Sequence, residues 1–283
     1  MNSSPLFPDA HHFEHEAMRT TFTLRLRGLA ADEASGMARE CFELVDSLEA
    51  RLSRFIEDSE ISRINRMQAG ETLYLSDATH QCLLLALDAY GRTSGLFDIS
   101  LGTSIEHAKS GGTTPVPEIA GCLIIHPDVP AVTCQQPGRV LDLGGIGKGF
   151  ALDQLRILLG DWGAQDALLA AGASSLLAFG PTKWPVDLTG GGQFRRIQLA
   201  NQALSASGTG MQGAHIVHPA GETAMPAQGC SRVWVAAATA ALAEVWSTAL
   251  MLVSMDEIPA LIATEPKITA VHAECDGMLH ELR

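Results

Sequence analysis

The spacing of apolar residues changes its period several times along the chain, and each change marks an element. Between residues 20 and 26, Phe22, Leu24 and Leu26 fall on every second position, the repeat of a half-buried strand. From 32 to 55 the repeat lengthens: Met37, Cys41, Leu44, Val45, Leu48, Leu52 and Phe55 form a helical stripe. A second helix, capped by Ser76 or Asp77, carries Cys82, Leu83, Ala86, Leu87 and Tyr90. Residues 109–117 are rich in Gly, Thr and Pro and predict a loop. Short β-type runs follow at 121–125, 140–143, 167–170, 176–179, 194–199 and 232–236. A helix is predicted over 240–253, then closing strands over 268–273 and 278–282. Strands follow strands, helices intervene irregularly, and no regular βαβ series appears. That order predicts an α+β fold with a largely antiparallel sheet core and packed helices. Residues 1–17 are expected to be a flexible N-terminal segment, and 18–283 a single domain.

The run at 140–143 ends in a glycine cluster, Gly144, Gly145, Gly147 and Gly149, with Lys148 inside it. Phe150, Leu152, Leu155, Leu158 and Leu159 then take up helical spacing. A strand, a glycine turn and a helix start present backbone N–H groups at a positive helix end, where phosphate binds. Asp142 and Asp153 bracket the turn as candidates for a metal or a ribose. The segment matches neither a Walker loop nor a dinucleotide fingerprint, because its glycines have the wrong spacing. Nucleotide binding and a tight packing turn both remain open on these residues alone.

Composition narrows the class. The chain has 283 residues, 46% hydrophobic and 18% charged, which makes it globular. Its formal charge of −13 argues against a nucleic-acid partner. No apolar run reaches the roughly 18 residues of a membrane span. Residues 1–15 are polar, without the basic start and apolar core of a leader. A cytoplasmic location is therefore expected, or a periplasmic one if a leader has been removed. Six cysteines (Cys41, Cys82, Cys122, Cys134, Cys230, Cys275) form no Cys-x-x-Cys pair, so zinc is not expected. Cys41 and Cys82 sit in helical patterns and are expected to be buried free thiols; six is an even number, but helical placement and the absence of a leader argue against disulfides.

Three more segments carry chemistry. Residues 53–65 are dense in polar groups after a helix. His215 and His218 lie in an extended run with Ile216 and Pro219. Glu244 and Thr248 stand four apart, on one helix face, with Ser247 beside them. Oxygen ligands so placed suit a hard cation such as magnesium. Each segment also has a plain structural reading.

Taken in order, these segments resemble the FAD:protein FMN transferases of the ApbE type. The resemblance covers about 18–250. It is carried by Met18 and Thr20, Phe55, Asp58 to Asn65, Gly95 to Asp98, and Leu141 to Gly149 with Asp153. Ser207 and Gly208, His215 to Pro219, and Glu244 to Leu250 complete it. It implies binding of FAD and Mg2+, transfer of FMN to a threonine or serine hydroxyl of an acceptor protein, and release of AMP. Met18, Phe55, Asp98, Asp142, Gly145, Lys148 and Ile216 would line the FAD site. Gly145 (by its carbonyl), Glu244, Ser247 and Thr248 would hold the metal. His215, with Lys148, would serve catalysis by managing a proton or stabilising the transition state. The alternatives are an FAD hydrolase, or a weakened relative that binds flavin or a partner without turnover. The chain departs from the family pattern at Arg19 and Ala173–Ser174, where glycine and Gly-Asp are usual. Phe55 and Glu244 replace tyrosine and aspartate.

Overall fold

The computed structural model describes residues 7, 9–110, 119–190, 193–208 and 230–283. The chain opens with a hairpin, β1 (His11–Ala17) and β2 (Thr20–Arg27), then the long α1 (Ala31–Leu52) and the short α2 (Glu60–Ile64). β3 (Thr72–Tyr74), α3 (Asp77–Arg92), α4 (Gly102–Lys109), β4 (Cys122–Ile125) and β5 (Ala131–Gln136) follow. α5 (Gly147–Asp161) leads into β6 (Asp166–Ala171), β7 (Ser175–Phe179), β8 (Trp184–Gly190), β9 (Gln193–Leu199), β10 (Gln202–Gly208) and β11 (Cys230–Ala237). α6 (Ala240–Leu250), α7 (Ile258–Ile262), β12 (Ile268–Cys275) and β13 (Met278–Glu281) close the chain.

Eight strands form one antiparallel sheet in the order β1-β2-β6-β7-β10-β11-β12-β13. The two-residue side-chain alternation of β2 explains how it is covered. Phe22, Leu24 and Leu26 are fully buried on the face where α1, α5 and α6 pack. The same cluster takes Ala167 and Leu169 from β6, Val45 from α1, Leu155 from α5 and Trp246 from α6. Leu168, between two inward residues, points to the opposite face. There it joins Trp234, Ala236 and the β8–β9 residues Trp184, Leu188 and Leu199 in a second, smaller core. α6 buries residues around nearly its whole circumference, as a helix between sheet and helices must.

Three expectations are corrected. The segment expected to be flexible holds β1, whose seven residues all pair with β2; the backbone ladder orders a polar sequence that carries little apolar signal. The run at 140–143 is not a strand beyond a single bridge between Leu101 and Val140. Its backbone groups are satisfied otherwise: Asp142 N donates to Ile99 O at 2.7 Å, and the Asn65 side-chain amide pairs with both polar groups of Leu141. Finally, Cys230 and Cys275 are joined by a disulfide. They lie 45 residues apart in sequence, yet the β11–β12 register sets them opposite one another. Cys41 and Cys82 are buried free thiols, as expected. Desolvation pushes the Cys41 thiol up to about 12, and that of Cys82 higher still.

Candidate functional site

The site grows out of the turn between residues 142 and 149. Asp142 folds back on the turn: its Oδ1 accepts from Gly144 N–H at 2.7 Å. Its Oδ2 lies 2.9 Å from Arg54 Nε, an ion pair in which both side chains are nearly buried. Gly145 presses on Phe97; a Cβ there would meet the ring at 2.9 Å. Gly149 sits in the first turn of α5, where a Cβ would come within 2.4 Å of the Ala240 carbonyl. α5 and α6 therefore meet backbone to backbone, and glycine is required at the crossing.

That contact is held by two carboxylates, each serving the other helix. Asp153 of α5 accepts from Ala240 and Ala241 N–H at 2.8 and 2.9 Å, satisfying the free donors that open α6. Burial pushes its carboxyl up to about 6, against the pull of those two hydrogen bonds. Glu244 of α6 returns the arrangement: one oxygen accepts from Gly149 N–H at 2.5 Å, and the other binds the Lys148 ammonium. Two expectations change as a result. Asp153 is a helix cap rather than a ligand for metal or ribose. The α5 N-terminus is not wholly free for phosphate, because Glu244 already occupies one of its N–H groups. Lys148 projects onto Glu244, with about a quarter of its side chain exposed.

Around Glu244 lies a set of hydroxyls. Ser247 and Thr248 each donate to the Glu244 carbonyl at 3.0 Å. Ser207 reaches both, at 2.9 Å from Ser247 Oγ and 3.2 Å from Thr248 Oγ1. Ser205 adds a link to Ser247 at 3.4 Å. A Cβ on Gly145 would lie 3.7 Å from Thr248 Oγ1, so the glycine turn abuts this set. The four expected metal ligands, Gly145, Glu244, Ser247 and Thr248, are thus brought together. They do not fit a resident magnesium ion as they stand. The one carboxylate among them is neutralised by Lys148, and magnesium demands near-octahedral oxygen coordination. Among the described residues, no group of three or more His, Cys, Asp or Glu is placed to hold a metal.

The other end of the site is a patch beside the β1–β2 turn. Ala17 pairs with Thr20, leaving Met18 and Arg19 as a two-residue loop with φ of 51° and 60°. Both are left-handed, the shape a tight hairpin needs and one that non-glycine residues adopt at a cost. Arg19 lies 5.4 Å from the ring centroid of Phe55, and Arg54 lies 4.9 Å from the same ring. Phe55 follows the end of α1 and is 62% exposed. The polar residues of 53–65 fix it in place. Ser59 caps α2 and donates to Ser53 O, while Ser62 Oγ donates to Arg54 O at 2.9 Å. Glu60 reaches across to Ser76 at the start of α3.

Contacts thus run from Arg19 and Phe55 through Arg54 to Asp142, along the glycine turn, and on to Thr248 and Ser207. Asp98 shapes an adjoining turn by accepting from Ser100 N–H at 2.7 Å. His215 and Ile216 lie outside the described residues. Sequence reasoning missed Arg54; a carboxylate folded into a glycine turn was the signal that a nearby cation was needed. It also gave no role to Asn65, which holds Leu141, or to Ser207.

The sequence pattern of the ApbE family matches residues 18–272. An FAD:protein FMN transferase of Rhodobacter capsulatus is 27% identical over 233 residues, covering 72% of this chain. The chain spans only 44% of that relative's length. Among solved structures, the flavin transferase ApbE of Vibrio cholerae superposes with a TM-score of 0.78 at 20% identity, over 96% of each chain. The apo flavinyl transferase ApbE of Pseudomonas stutzeri gives 0.80 at 19% identity, over 96% of this chain and 94% of that one. With most of its length matched and its fold shared, the chain belongs to the ApbE family.

Proposed function

We propose that the protein transfers the FMN half of FAD to a threonine or serine hydroxyl of an acceptor protein, releasing AMP. The observation that carries this reading is that Phe55, Asp142, Gly145 and Thr248, four positions named by the resemblance, lie along one path, with Arg54 joining Phe55 to Asp142 and the glycine turn abutting Thr248. The name of the Rhodobacter capsulatus relative supports the same chemistry.

In this reading the Phe55 ring offers a face for a planar group. The Lys148 ammonium and turn N–H groups oppose the negative charge of the pyrophosphate. The acceptor oxygen forms a bond to the FMN phosphorus, and the bond from that phosphorus to the bridging oxygen breaks. AMP leaves with the bridging oxygen, and the hydroxyl proton passes to a base, the role the sequence assigns to His215. Water in place of the hydroxyl gives FMN and AMP, so hydrolysis is the same step with a different nucleophile. The disulfide between Cys230 and Cys275 supports a location outside the reducing cytoplasm, the second of the two expected locations.

A second reading has its own support. Lys148 paired to Glu244 is net neutral, which weakens transition-state stabilisation and favours a flavin-binding relative without turnover. One incubation separates the two: protein with FAD, with and without Mg2+, analysed by chromatography for AMP and FMN. AMP release supports the transferase or hydrolase. FAD bound but intact under every condition leaves binding alone.

A further inference from the structure

We infer that Lys148 is a built-in cation occupying the carboxylate a divalent ion would need, so that this chain binds FAD without one. The inference rests on the flavin reading above. Glu244 is 4% exposed, and both its oxygens are committed: one to the Lys148 ammonium, the other to Gly149 N–H. The second bond is part of the crossing of α5 and α6, so the carboxylate cannot swing away without uncapping α5. A divalent ion approaching the hydroxyls of Ser207, Ser247 and Thr248 must first expel the ammonium. The expelled ammonium would then face a dication in a poorly solvated place, and the neighbouring carboxylate, Asp153, is already committed to the N–H groups of Ala240 and Ala241. The length of Glu244 matters in the same way. Aspartate is one carbon shorter, and from α6 it would draw its carboxylate back from Lys148 and towards the hydroxyls. Glutamate reaches across to α5 and closes on the lysine. The departure at position 244 and the pairing of Lys148 are therefore one feature, in which a protein cation replaces a bound one.

The test has two arms. In the first, FAD affinity of the full chain is measured by flavin fluorescence in EDTA and again in excess Mg2+. The two dissociation constants should agree within about twofold, well below the tenfold that 1.4 kcal/mol represents. Affinity that rises tenfold or more with Mg2+ overturns the inference and leaves the flavin reading intact. In the second arm, Mn2+ is titrated into FAD-free protein and followed by electron paramagnetic resonance. The parent should show no stoichiometric site, whereas Lys148→Met and Glu244→Asp should each gain one. A stoichiometric Mn2+ site in the parent overturns the inference even if neither variant folds. Failure of FAD to bind in either buffer overturns the flavin reading and the FAD clause of this inference. The Mn2+ arm then still decides whether Lys148 excludes the ion.

Discussion

The two ends of the candidate site are built on opposite terms. At one end Lys148, Gly149, Asp153 and Glu244 knit α5 to α6 through buried carboxylates and a backbone-to-backbone crossing. At the other, Arg19, Arg54 and Phe55 stack at the protein surface on a short turn and a helix end. Residues of the first end hold the fold together and, in the proposed function, would serve the chemistry as well, so few alternatives satisfy both. Residues of the second end would, in the same proposal, answer mainly to the ligand. Arg19 touches only its own turn and the exposed Phe55 ring there, whereas Glu244 binds both Lys148 and the backbone of Gly149.

The largest effect expected from this contrast is at Gly149. Gly149→Ala drives a Cβ against the Ala240 carbonyl, a backbone atom that cannot rotate away. We expect a loss of about 3 kcal/mol, the upper part of the usual overpacking range. Gly147, two residues earlier, has open space around it. Gly147→Ala should be neutral or stabilise by about 0.5–1 kcal/mol, because alanine loses less chain entropy in a helix. Urea unfolding of the two variants decides the matter. Equal effects would mean that the crossing is looser than described.

The buried end should also show itself in pH dependence. The folded-state pKa of Asp153 is raised from 3.8 to about 6. Between these values the native state holds a proton that the unfolded state has released, so stability falls as pH rises through this window. A shift of about two units corresponds to about 3 kcal/mol at most, fully felt above pH 6. Asp153→Asn removes the titration. Whatever the variant loses in hydrogen bonding, its stability relative to the parent should improve from pH 4 to 7. Parallel unfolding curves across that range would show that Asp153 does not titrate there.

What the sequence revealed and what it hid divides along the same line. The period of β2, the stripe of α1 and the Ser76 cap were legible because each is a local pattern. β1 was not, since a polar edge strand is specified by its partner's ladder rather than by its own side chains. The glycine turn was visible, but the roles of Asp153 and Glu244 were not. A carboxylate that caps the neighbouring helix has no sequence spacing to betray it, as 87 residues separate Asp153 from Ala240. The same holds for Cys230 and Cys275, brought opposite one another only by register.

Arg54 joins the two ends, so its removal measures how far they are coupled. It holds Asp142 by an ion pair with both partners nearly buried, and it donates to the Gly102 carbonyl at 3.3 Å. Arg54→Met keeps much of the stem but leaves the Asp142 carboxylate without its cation. The expected cost is about 2 kcal/mol, below the full range for breaking a buried pair because Asp142 keeps its bond from Gly144. FAD affinity should fall as well, since Phe55 loses one cation and the turn loses its anchor. A variant that melts like the parent would separate the two ends and remove Arg54 from the site.

The smallest effect is expected at Arg19, where the surface end stands apart from the fold. Arg19→Gly relieves a left-handed φ of 60°, worth about 1–2 kcal/mol for a non-glycine residue. Against this stand the extra freedom of glycine in the unfolded chain, about 0.4–1 kcal/mol, and the loss of one exposed cation–π contact, about 0.5 kcal/mol. The balance is a gain of roughly 0.5 kcal/mol or less, a rise of about a degree or two in melting temperature. Ligand affinity is expected to move the other way. Arg19 places a positive charge over Phe55 in a chain of net charge −13, so its loss should weaken FAD binding and lessen the salt dependence of that binding. Stability and affinity moving in opposite directions would mark Arg19 as kept for the ligand at the fold's expense. If both fall together, the turn needs the arginine, and the contrast between the two ends does not hold.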